Sequence, residues 1–142
     1  MRWLLAGIVC TLASAAAADG AFVPCAHNRP GDPGLRMLIE AVYRSDLQTQ
    51  AAQRRLGWPA TPLQGKPEDV DELAFCRCVH RKRAEALGEE LAFAMMALDP
   101  RQTAPYDRWL EALPAQARLE HGVFRDAVHA ACFNESRRPH AR

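Results

Sequence analysis

The chain has 142 residues, 49% of them hydrophobic and 25% charged, with 18 basic and 17 acidic side chains. This composition fits one folded domain and excludes a disordered chain or a membrane bundle. The near-zero charge balance argues against nucleic-acid binding through net charge, and the unusual counts are five cysteines and ten prolines.

The first element in chain order reads as an export signal. Arg2 gives a positive start, residues 4–12 form an apolar run, residues 13–18 are small, and Asp19-Gly20 opens a polar stretch. The run is shorter than the roughly 20 residues of a membrane span. Residues 1–18 are therefore expected to be a cleaved signal peptide, with cleavage after Ala18 preferred over Ala15. Cys10 sits in the apolar run behind the bulky Ile8-Val9 pair, which argues against lipid attachment there. Removal of the signal leaves about 124 residues. It also leaves 17 basic against 17 acidic side chains and four cysteines: Cys25, Cys76, Cys78 and Cys132. An even count in an exported chain is what a disulfide framework needs. Sixteen Arg against two Lys points to a GC-rich bacterial genome, and hence to a periplasmic or secreted protein with no membrane span after cleavage.

Residues 19–34 read as an irregular arm, broken by Pro24, Pro30, Gly31, Pro33 and Gly34. Asp32 and Pro33 suit a helix start. Leu35, Leu38, Ile39, Val42, Tyr43, Leu47 and Ala51 then recur at helical spacing, which predicts one helix of about five turns ending at Gly57. A second helix is expected from Glu68 to Gly88, acidic in its first turn and basic in its last, as the helix dipole favours. A short apolar helix follows over 91–98, another over 105–113, and a last one from Pro114. Val123, Phe124, Ala127, Val128, Ala131 and Cys132 line one face of the last. Residues 135–142 read as a mobile basic tail. The fold class expected is all-α: a small single-domain bundle of four to five helices over 35–134, stapled by two disulfides.

Cys76 and Cys78 are two apart in the second helix and point to opposite sides, so each is expected to bond a different segment. Cys76 shares the more apolar side with Leu73, His80, Ala84 and Leu87, whereas Cys78 lies towards Asp71, Lys82 and Glu85. This favours Cys76–Cys132 in the core and Cys25–Cys78 across the outside. The alternative is Cys25–Cys76 with Cys78–Cys132. Each bridge closes a loop of more than 50 residues, for which the chain-entropy model gives about 4 kcal/mol.

A competing reading is a soft-metal or thiol-redox carrier built on Cys76, Cys78, His80, His129 and Cys132. Cys76 and His80 are one turn apart, as are His129 and Cys132, so these four can ring a metal ion beside Met95 or Met96 if the helices pack there. The spacing does not fit haem attachment or a thioredoxin-type pair. No phosphate loop, nucleophile elbow or zincin motif occurs, and Ser45 and Ser136 are the only serines after residue 18. The expectation is therefore a protein that works by binding a partner, not an enzyme, with no cofactor. Candidate surface residues are the basic run Arg77, Arg81, Lys82 and Arg83, with Trp58 and Trp109; Tyr106 is a further large aromatic. Accessory, inhibitor and immunity-type proteins share this general make-up.

Overall fold

The computed structural model describes Cys25, residues 33–97 and residues 99–139. The expected signal peptide and most of the expected arm lie outside the described residues. Those described are all-helical: α1 (Pro33–Arg44), α2 (Asp46–Arg55), α3 (Glu72–Leu87), α4 (Glu89–Met96), α5 (Pro100–Ala112) and α6 (Ala115–Glu135), with a 3-10 turn at Pro67–Asp69. That is six helices where the sequence predicts four or five.

The extra helix comes from a bend at Ser45. The i−4 ladder continues through it, with Ser45 N donating to Ala41 O and Thr49 N to Ser45 O. The Ser45 hydroxyl, however, donates back to Val42 O at 3.2 Å. Such back-bonding bends helices. Two further boundaries move. Residues 67–69 form a separate turn, and α3 begins only after Asp71, whose carboxylate caps Ala74 N at 2.9 Å. α5 begins at Pro100 rather than at 105, because Asp99 caps it and Pro100 fills the first position, leaving Pro105 inside the helix.

α3 and α6 are antiparallel. Asp71 N donates to Ser136 O at one end, Cys78 bonds Cys132 in the middle, and Arg83 meets His129 at the other end. The core between them and α1 is built from Leu35, Ile39, Val42, Val70, Phe75, Val79, Val128 and Phe133, together with Cys25, Cys76, Cys78 and Cys132. α2 buries polar residues instead. Gln53 is fully buried, and its Oε1 accepts from Thr61 N at 2.8 Å.

The bridges are Cys25–Cys76 and Cys78–Cys132, 51 and 54 residues apart in sequence. The preferred expectation, Cys25–Cys78 with Cys76–Cys132, is corrected by this pairing. The error lay in taking Cys78 to be outward-facing because its side of α3 is charged. Cys78 is buried. The C-terminal part of α6 packs against Cys78, and Glu135 pairs beside it with Lys82 at 2.8 Å and Arg81 at 3.0 Å.

The tail expectation is corrected over residues 136–138. Ser136 is buried, Arg137 forms an antiparallel bridge with Val70, and Arg138 N donates to Asp69 O at 2.7 Å. Backbone pairing holds this segment where apolar side chains are lacking. Gly65 makes room for it. Its φ is +82°, and a Cβ there would lie 2.9 Å from Asp69 Oδ2 and 3.1 Å from Arg137 Cδ.

Candidate functional site

The sequence candidates separate in three dimensions. All four cysteines described are in disulfides, so none is a thiolate ligand here. His80 turns to Glu89 on α4, 3.2 Å away, whereas His129 turns to Arg83. The ring of Cys76, His80, His129 and Cys132 is therefore not assembled. The basic run also divides. Arg77 is exposed, Arg81 and Lys82 are tied to Glu135, and Arg83 is buried. Trp109 and Tyr106 both lie in α5 and pack with His121 of α6, whose Nε2 is 2.8 Å from the Tyr106 hydroxyl. Trp58 stands just beyond α2, its backbone N–H donating to Gln53 O at 2.9 Å.

What the packing assembles instead is a buried cluster where α3 crosses α6. Arg83 lies seven residues after Cys76 and four after Val79, which places it on the buried stripe of α3. It is only 8% exposed. Its Nη2 lies 3.0 Å from His129 Nε2. A guanidinium only donates, so it is the donor here. His129 must then carry its proton on Nδ1. Arg83 Nε is buried and has no hydrogen-bond partner, and no carboxylate pairs with Arg83 among the described residues. Burial, reinforced by the Arg125 charge, pulls the guanidinium down to about 10. Burial and the charges of Arg83 and Arg125 hold the His129 imidazole down at about 4, so it is neutral at physiological pH. The same influences lower His121, burial first.

His129 also lines a groove on the far side of α6. Its cavity volume is about 290 Å³. The bend between α1 and α2 supplies Leu38, Ala41, Val42, Ser45 and Thr49, and α6 supplies Arg125, Asp126 and His129. One wall is therefore apolar and the other polar. Burial pushes the Asp126 carboxyl up, with Arg125 opposing it in part. No ion pair joins Arg125 to Asp126 among the described residues.

Arg83 and His129 are among the sequence candidates, but in other roles. The stripe position of Arg83 was the available signal for its burial. Arg125, Asp126 and Thr49 carried none, because the groove exists only where the α1–α2 bend meets α6. No helix among the described residues is long and apolar enough to cross a membrane. The two disulfides are compatible with an extracellular or otherwise oxidising compartment. No family model, no curated protein and no solved structure matches the chain.

Proposed function

We propose that the chain is a small exported protein, periplasmic or secreted, that acts by binding a protein partner in an accessory, inhibitor or immunity-type role. The observation that carries this reading is the covalent scaffold. Two buried bridges tie α3 to Cys25 on one side and to α6 on the other. Such bridges persist in oxidising compartments and hold a surface preformed, which lowers the ordering cost of association. Large apolar side chains stand out on that scaffold: Met37 is 70% exposed and Leu47 80%. Exposed apolar anchors of this kind are what protein interfaces use.

Site-specific photo-crosslinking in periplasmic extract tests the reading. A photoreactive residue is placed at Leu47, at Arg77 of the basic run, and at Gln116 as a control. A discrete protein adduct from Leu47 or Arg77 and none from Gln116 is the expected result. No discrete adduct from either candidate position, with the protein folded and oxidised, contradicts it.

A further inference from the structure

We infer that the groove between the α1–α2 bend and α6 is a binding site for a small organic anion, a monocarboxylate with a short apolar body. The inference starts from an unbalanced charge. A buried guanidinium ordinarily has a carboxylate or a set of carbonyls to satisfy it, because desolvating a charge without compensation is costly. Arg36 in this same protein shows the usual solution. It donates to Glu72 Oε1 at 2.6 Å, Pro67 O at 2.7 Å and Val70 O at 2.8 Å. Arg83 is more buried and has only a neutral imidazole.

That imidazole stands between Arg83 and the groove. With Arg83 donating to Nε2, His129 presents Nδ1–H as a second donor, and no acceptor takes it among the described residues. Thr49 and Arg125 also line the groove, and among the described residues no ion pair takes the Arg125 guanidinium and no hydrogen bond the Thr49 hydroxyl. The groove therefore gathers unspent donors from α2 and α6, with a second positive charge behind one of them. Its one acidic group is Asp126. On the lining Arg125 and Asp126 offset each other, and Arg83, bonded to His129 from behind, adds one positive charge, which favours an anion. Leu38, Ala41 and Val42 form the apolar wall, so the anion needs an apolar body to fill the space. The cavity of about 290 Å³ sits at the small end of ligand sites.

The test is an amide-resolved NMR titration of the oxidised protein with sodium hexanoate. Hexylammonium chloride and sodium sulfate are the matched cation and the inorganic anion. Hexanoate is expected to shift the amides of Ser45, Thr49, Arg125 and His129 saturably. Arg125→Gln, an exposed position whose substitution leaves the core alone, is expected to weaken binding about tenfold, the loss of one charge-assisted contact. Thr49→Val is expected to weaken it about threefold. Arg83→Met is expected to weaken it by about tenfold while the thermal transition stays cooperative, since a similar-sized apolar side chain replaces an unpaired charge. Equal response to hexylammonium overturns the proposal. So does an Arg125→Gln variant that binds hexanoate like the parent, or shifts confined to other parts of the molecule. Sulfate binding as tightly as hexanoate, on the same amides, overturns the requirement for an apolar body.

Discussion

Two arginines are drawn into the packing around α3, and their surroundings differ. Arg36, from α1, reaches the N-terminal end of α3 and finds one carboxylate and two carbonyls within 2.8 Å. Glu72, buried beneath it, is held below the usual carboxylate range, first by that hydrogen bond. Arg83, at the other end of α3, has an imidazole at 3.0 Å and an unpartnered Nε. The first arrangement closes on itself and fastens α1 to the 3-10 turn and α3. The second leaves charge and donors unbalanced beside a groove. The contrast separates an arginine that builds the scaffold from one that serves a site.

Both arginines are placed by a helix that the disulfides anchor at Cys76 and Cys78, between Glu72 and Arg83. Removing Cys78–Cys132 by replacing both cysteines with Ser is expected to cost about 4 kcal/mol in chemical denaturation, the largest effect here. Next comes the comparison itself. Arg36→Met strands the buried Glu72 carboxylate and is expected to cost about 3 kcal/mol. Arg83→Met removes a charge without stranding an opposite one and is expected to change stability by less than about 1 kcal/mol in either direction. Equal losses from the two variants would erase the distinction.

Acid sharpens the same contrast. His129 has a depressed folded pKa of about 4. Below the ordinary histidine value near 6.5 the unfolded chain takes up a proton that the folded one refuses. Stability is therefore full above that pH and falls as pH drops through it towards 4, by at most about 3 kcal/mol. His121 contributes in the same direction. Denaturant midpoints between pH 7 and 4 measure this slope, and His129→Gln should flatten it. Glu72 acts later, because a depressed carboxylate loses its contribution only as pH falls below its unfolded value of 4.5. A local effect concerns the loop over 58–66. Asn134 accepts from Gln64 N at 2.8 Å and donates to Pro62 O at 3.0 Å. Asn134→Ala is expected to cost about 1 kcal/mol and to raise amide exchange at Gln64.

The helical class was legible because Leu35, Ile39, Val42 and the α6 stripe repeat at helical spacing. The bend at Ser45 was not, since a back-bonding serine looks like any other polar residue in the pattern. The cysteine pairing failed for a related reason. A charged stripe of Arg81, Lys82 and Glu85 reads as solvent-facing, and Arg81 and Glu85 are exposed, yet Cys78 beside them is buried by its bridge to α6. The fastened segment at 136–138 depends on backbone hydrogen bonds to residues 69–71, which no side-chain pattern records. The groove is least legible of all. Its donors come from helices more than 70 residues apart in sequence, and only the packing of α1 and α2 on α6 brings them together.

The central claim is an exported scaffold closed by two specific bridges. It is tested most directly by intact mass and non-reduced peptide mapping of protein recovered from the periplasm, alkylated without reduction. The expected result is a chain starting at Asp19, no alkylated cysteine, and crosslinked peptides joining Cys25 to Cys76 and Cys78 to Cys132. Free thiols at Cys76 or Cys132, or a retained N-terminus at Met1, would contradict it.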